Sequence, residues 1–249
     1  MLLNYGKVYF AGITPALGFA KRHLSRSGIT IADNPGWDTA HLLLDVPSFR
    51  PGLWPEKTLD TLLSSLPRDV TIWGGMLDRK ELDTYSTVDL LTDEAYLREN
   101  AVITADCAIP IAEEAMTCPW EQAHVLLIGW GRITKALSSK IRALGADVTI
   151  ASGKEGHRAE AVSQHFPVLD SADLENRTAS FDLIINTAPA PVLSVKDPGK
   201  TILMDLASVN GIDGPDVIRA RALPGRLAPE RSGTLIAETF LRRIREGSQ

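Results

Sequence analysis

The stretch "HVLLIGWGRITKALSSKIRALGADVTIAS", His124 to Ser152, constrains this chain more than any other. A short apolar run leads into two glycines, then into apolar residues at helical spacing, then into a second β-type run. That order predicts strand, tight turn, helix and strand. Gly129 lets the chain turn sharply, and Gly131 leaves room for a pyrophosphate at the helix N-terminus, where unsatisfied N–H groups favour an anion. Ile133, Leu137, Ile141 and Leu144 give the helix its apolar face, and Gly145 is placed to stop it. Two parts of the usual fingerprint are missing. Thr134 replaces the third glycine, which predicts a helix set slightly farther from the strand, with Ala136 restoring closeness, and bulky Trp130 stands between the first two. No acid closes the second strand, which ends in Ala151 and Ser152 and is followed by Lys154, His157 and Arg158. A carboxylate there would accept from the ribose of NAD, whereas a neutral end with basic neighbours suits a 2′-phosphate, so NADP is expected ahead of NAD.

Around this unit, short β-type runs alternate with helical segments, the mark of an α/β protein. Strands are expected at 7–12, 29–33, 41–46, 69–75 and 86–93, with helices at Pro15–Ser25, Pro55–Leu66 and, weakly, Arg79–Tyr85. A helical segment from Pro110 to Met116 marks the connection to a second series of strands at 124–128, 147–151, 167–170, 182–186, 201–205 and 222–227. The expectation is two doubly wound domains with mostly parallel sheets: 1–105, flavodoxin-like, and 106–249, a Rossmann dinucleotide-binding fold carrying the connecting helix. In such sheets polar residues at the carboxyl ends of strands point into the ligand crevice, which draws in "NTAP", Asn186 to Pro189, with Thr187 and Ala188, and also Asp205 and Ser208. The tail "PERSGTLIAETFLRRIREG" predicts an amphipathic helix from Pro229, with Ile236, Phe240 and Ile244 on one face and Arg242, Arg243 and Arg245 largely on another. It is expected to pack back on its own chain and brace the two domains; an oligomer interface is the alternative.

Composition removes several classes of function. With 44% hydrophobic and 23% charged residues the chain is near the average of globular proteins, and its net charge of −5 disfavours nucleic acid. No apolar run nears the ~20 residues that span a bilayer, and "MLLNYGKVYFAG" has no secretory-signal pattern, so the cytoplasm is expected. Cys107 and Cys118 are too few for a disulfide framework and lack zinc-ligand spacing, so no metal is expected.

The series "IPIAEEA", "VLLIGWGR", "INTAPAP", "MDLAS" and "LPGRLAPERSG" resembles the A subunit of dipicolinate synthase from spore-forming, sporulating bacteria. The resemblance runs from about Ala101 to the C-terminus; before that it is one of layout. It implies an N-terminal α/β domain joined to a Rossmann domain and a flavoprotein-like partner, the B subunit. It also implies NADP-linked oxidation of dihydrodipicolinate, a small dicarboxylate, to dipicolinate. Gly129, Gly131 and Arg132 match the cofactor turn, with Trp130 and Ile133 beside them; Asn186 and Pro189 match the fourth-strand loop, and Asp205 and Ser208 the fifth-strand end. Pro110 and Glu113 match the inter-domain element, and Pro224, Gly225, Pro229 and Gly233 the last loop. The family's Thr-Gly after the turn arginine is here Ile133 and Thr134. Its Arg-Pro-Gly-Gly after "DLAS" is Val209 to Ile212, and its lysine after "AP" is Glu230. Two cations near a diacid site are thereby lost, and Arg226 and Arg231 in the same loop are the candidates to compensate. Glu113, expected in a cleft that raises its pKa, and Asp205 are the candidates to take the ring proton. A dehydrogenase for another small carboxylate and a non-enzymatic nucleotide-binding subunit remain as alternatives, and a homo-oligomer is expected.

Overall fold

The computed structural model describes residues 5–49 and 58–247 and divides the chain into two compact units, 1–100 with 224–249, and 101–223. In the first unit β1 (Lys7–Ala11), α1 (Pro15–Arg26), β2 (Thr30–Ile31), β3 (Thr39–Leu44), α2 (Thr58–Ser64), β4 (Thr71–Gly74) and β5 (Ser86–Asp89) form a parallel sheet in the order β2-β1-β3-β4-β5. In that order the sheet reverses between β1 and β3. The expected start of the second helix at Pro55 lies outside the described residues. The weak helix at 79–85 is one 3₁₀ turn, Lys80–Leu82.

Alternation along β3 and β4 sorts their side chains to two faces. Leu42, Leu44 and Ile72 pack with Leu59 and Leu63 of α2. His41 and Trp73 face the other way and meet Phe240 of the C-terminal helix, with the Trp73 and Phe240 ring centroids 4.6 Å apart.

The chain enters the second unit through α3 (Glu94–Ala115), inside which the division falls. This helix is far longer than the expected 110–116. Asp93 caps its start, its carboxylate accepting from the Tyr96 N–H, and Pro110 sits in its interior rather than at its beginning. The second unit continues with β6 (His124–Ile128), α4 (Arg132–Ala143), β7 (Asp147–Ala151), α5 (Glu155–Ser163), β8 (Val168–Leu169), β9 (Leu183–Asn186), β10 (Leu193–Ser194), β11 (Ile202–Asp205), β12 (Ile212–Asp213) and β13 (Ile218–Arg219). Six of these strands form a parallel sheet in the order β13-β11-β9-β6-β7-β8, the full Rossmann arrangement, while β10 and β12 pair separately. The last strand of the sheet is not at 222–227, as expected; that stretch contains α6 (Leu223–Leu227).

The C-terminal helix α7 (Pro229–Glu246) starts at Pro229 and buries Ile236, Phe240 and Ile244 as its pattern predicts. It does not belong to the unit assigned from sequence. Residues 224–249 join the first unit because α7 packs along α1 and covers the sheet face that α2 leaves open. Gly233 permits that approach. A Cβ there would lie 2.5 Å from the Phe19 Cβ and 2.8 Å from the Ala20 N, and would press on the Ala16 carbonyl. At the other end of the helix Arg242 donates to Asp93 at 2.7 Å.

This packing can be tested at two positions. Gly233→Ala should lower the stability of the whole chain by about 1–3 kcal/mol, because the atoms met are largely backbone and cannot swing away; chemical denaturation of the two proteins measures it. The second position is His41, whose Nδ1 accepts from the Trp73 Nε1–H at 3.2 Å while its Nε2 donates to the Tyr5 carbonyl at 3.0 Å, a pairing that needs the neutral ring. Burial holds its pKa below the ordinary imidazole value of 6.5, against the Tyr5 bond that raises it. A depressed folded-state value means that the unfolded chain takes the proton first. The contribution is therefore complete above about pH 6.5 and is lost as pH falls through the lower folded value. The thermal midpoint should fall more steeply between about pH 7.5 and pH 5 in the wild type than in His41→Gln.

Candidate functional site

In a sheet of this order the crevice opens between β6 and β9, where the chain direction of the connections reverses. The turn after β6 lies there. Gly129 has φ +100°, its N–H bonds to the Ala151 carbonyl at 2.9 Å, and a Cβ on it would stand 2.9 Å from the Thr187 Oγ1 and 3.4 Å from the Ala188 N. Conformation and space both demand glycine. Gly131 differs: its φ of −90° suits any residue, and a Cβ there would meet nothing within 4 Å. It is the N-cap of α4 and offers no side-chain acceptor to the first turn of that helix.

Both anomalies of the turn have a local explanation. Trp130 is only 3% exposed and packs edge-to-face on Phe166 at 5.8 Å, so the bulky residue is turned into the protein. Thr134 is fully buried, and its hydroxyl pairs with that of Thr187 at 2.6 Å, while the Thr187 hydroxyl also reaches the Ile128 carbonyl at 3.2 Å. Where a glycine would let helix and strand slide together, this chain fastens α4 to the β9 loop by a hydroxyl pair. Arg132 is exposed and Ile133 half-buried at the start of α4.

The β9 loop is held from behind. Asn186 is buried; its side-chain oxygen accepts from the Ala188 N–H at 2.9 Å, and its amide donates to the Ala188 carbonyl and to the Asp205 Oδ1 at 3.1 and 3.0 Å. Asp205, fully buried, also accepts from the N–H groups of Ala207, Gly211 and Ile212, and the Arg219 guanidinium lies 3.5 Å away. Both carboxylate oxygens are thus occupied by donors of the protein itself. The proton-carrying role expected for Asp205 does not suit this setting, which makes it the post around which residues 205–212 are wound. Glu113 is solvent-exposed on the last turns of α3, without the enclosure expected of it. Ser208 and Pro189 are exposed.

At the far end of the crevice Ser152 is buried at the close of β7. Its hydroxyl accepts from the Lys154 N–H and lies 3.3 Å from the His157 Nδ1. Arg158 donates to the Ser152 carbonyl at 2.6 Å and forms an ion pair of 2.9 Å with Asp170, just past β8; Lys154 is exposed. Sequence reasoning misses Asp170 as a site residue, although its place at the end of a strand is legible. The structure therefore brings together in one unit the turn, the β9 loop and the basic group after β7. The expected substrate ligands are divided: Ser208 is in the second unit, whereas Arg226 on α6 and Arg231 in the first turn of α7 belong to the first. No helix is long and apolar enough to cross a membrane among the described residues.

No family model and no curated protein sequence matches the chain. Solved structures do. The A subunit of dipicolinate synthase from Bacillus halodurans superposes with a TM-score of 0.81 at 19% identity, over 98% of this chain and 99% of that one. The A chain of dipicolinate synthase from Bacillus subtilis gives 0.78 at 18% identity, with 99% of each chain covered. An L-alanine dehydrogenase gives 0.60 at 11% identity, over 92% of this chain and 78% of the other. The chain thus has the fold of the dipicolinate synthase A subunit, an α/β architecture of two parallel sheets shared with a dehydrogenase.

Proposed function

We propose that the chain is an NADP-dependent oxidoreductase subunit of the dipicolinate synthase A type, oxidising dihydrodipicolinate or a closely related small dicarboxylate. The observation that carries this reading is the turn at the β6–β9 switch point, where Gly129 is locked against the β9 loop while Gly131 faces open space at an uncapped helix start. The donors suit a pyrophosphate. Backbone N–H groups at the start of α4, with Arg132 and Ile133, would hold it; Thr187, Ala188 and Pro189 would line the nicotinamide side; Ser152, Lys154 and Arg158 would meet the adenosine ribose and its 2′-phosphate.

When bound, NADP supplies the hydride acceptor. The protein's own part is to bind, orient and exclude water, since gain of aromaticity drives the oxidation of a dihydropyridine. Ser208 is assigned to a substrate carboxylate, and Asp205 to positioning rather than proton transfer. Glu113 is retained as the candidate proton acceptor, working in contact with solvent. The architecture shared with an L-alanine dehydrogenase, together with Glu230 and residues 209–212 where the resembling family has cations, supports a second reading as a dehydrogenase for another small carboxylate. A flavoprotein-like partner and a cytoplasmic location belong to the first reading.

Calorimetric titration tests the core of the proposal. NADPH should bind more tightly than NADH, and Gly131→Val should abolish binding while the protein still folds, because its side chain enters the pyrophosphate path and its Cβ meets nothing of the protein within 4 Å. A normally folded Gly131→Val protein that still binds NADPH would remove the turn as the cofactor site. Asp205→Asn should destabilise the chain by about 2–3 kcal/mol, since an amide presents N–H where the surrounding donors need an acceptor. In a turnover assay it should raise KM for the cofactor while the maximal rate changes less than about tenfold. A loss of maximal rate of about a hundredfold or more at saturating cofactor would restore Asp205 as the proton carrier.

A further inference from the structure

Resting on the cofactor reading above, we infer that Asp170 moderates the preference of this chain for a 2′-phosphate by restraining Arg158, the cation that would receive it. Four contacts place the two residues. The Arg158 guanidinium is held between the Ser152 carbonyl, at 2.6 Å, and the Asp170 Oδ2, at 2.9 Å. The Ser152 N–H is paired with the Leu169 carbonyl at 3.2 Å, so the ends of β7 and β8 are tied by backbone as well. A Cβ on Gly153 would lie 2.8 Å from the Ser171 Oγ, which shows how closely the two strand ends approach. The other Asp170 oxygen accepts from the Ala172 N–H at 3.1 Å, which fixes the carboxylate in place.

A neutral strand end favours a 2′-phosphate only if a cation beside it is available, and here the nearer guanidinium already has an anion. An incoming phosphate must share the guanidinium, whose Nη1 is engaged by Asp170 and by the Ser152 carbonyl, and it lies near the negative charge of Asp170. The Asp170 and Arg158 side chains are 42% and 23% exposed, so the pair is weak enough to open yet close enough to count. Asp170, on the strand beyond the one that normally carries the selecting acid, thus does part of that acid's work: it lowers the affinity for the 2′-phosphate without touching the ribose itself. Lys154, exposed at the start of α5, remains as the second cation beside the strand end.

The probes are 5′-AMP and 2′,5′-ADP, which differ only in the 2′-phosphate, titrated into the full chain with NADH as the control for the site. Asp170→Asn keeps an oxygen for the Ala172 N–H and removes the charge. It should bind 2′,5′-ADP about tenfold more tightly than wild type, some 1.4 kcal/mol, with 5′-AMP unchanged. Arg158→Gln should weaken 2′,5′-ADP, and the double variant should show no gain over Arg158→Gln alone. Binding of 2′,5′-ADP that is unchanged or weaker in Asp170→Asn, while NADH and 5′-AMP still bind, would overturn the role of Asp170 and leave the cofactor site standing. A gain that persists without Arg158 would overturn it as well. Failure of NADH and both probes to bind any of the folded proteins would overturn the cofactor reading, and this inference with it.

Discussion

The approach of the Gly129 backbone to the β9 loop is the constraint on which the second unit depends. A parallel sheet whose connections reverse direction between two neighbouring strands leaves a gap there, and the two loops bordering it must be shaped without filling it. This chain does so by pressing one turn, at φ +100°, against Thr187 and Ala188 and by joining Thr134 to Thr187 through their hydroxyls. The β9 loop in turn is held by Asn186 and Asp205. What remains open is the start of α4, beyond Gly131. Position, conformation and electrostatics of the crevice all descend from that one contact.

The first unit answers the same topological situation differently. Its sheet reverses between β1 and β3, and α1 begins just past β1. Here the helix start is already occupied: Asp45, fully buried after β3, accepts from the Ile13 and Thr14 N–H groups at 2.9 and 3.2 Å and from the Thr14 hydroxyl. An internal carboxylate takes the place an anionic ligand would need. The two units therefore share a winding plan, while the second keeps an uncapped helix at its switch point and so is the one suited to a dinucleotide.

Much of this is legible in the sequence. The strands of both sheets other than β13 and the turn at 129–131 stand out because buried parallel strands read as short apolar runs bounded by glycine or acid. The differences have physical causes. Pro110 reads as a helix start, but a long helix tolerates an interior proline when its flanks are strong, and α3 runs on both sides of it. The stretch 222–227 is apolar enough for a strand, yet is too short for periodicity to separate strand from helix. The C-terminal helix and its buried face follow from its pattern, but nothing in a single sequence says which sheet that face will cover; the answer lies in the small residues Gly233, Ala16 and Ala20, which match α7 to α1.

The site is harder to read than the fold for a single reason. A polar residue at the carboxyl end of a parallel strand can face a ligand or close its own loop, and the sequence is the same in both cases. In this chain closure is frequent. Asp45 holds the start of α1; Asp89 accepts from Leu77 and Leu91; Asp170 caps the turn at Ala172; Asp205 gathers three N–H groups and an amide. Each sits where a functional acid would be sought, and each is occupied by donors of its own unit. Polarity at a strand end therefore does not by itself mark a ligand contact, whereas the missing Cβ of Gly131, which no contact of the protein's own requires, leaves open space at the start of α4.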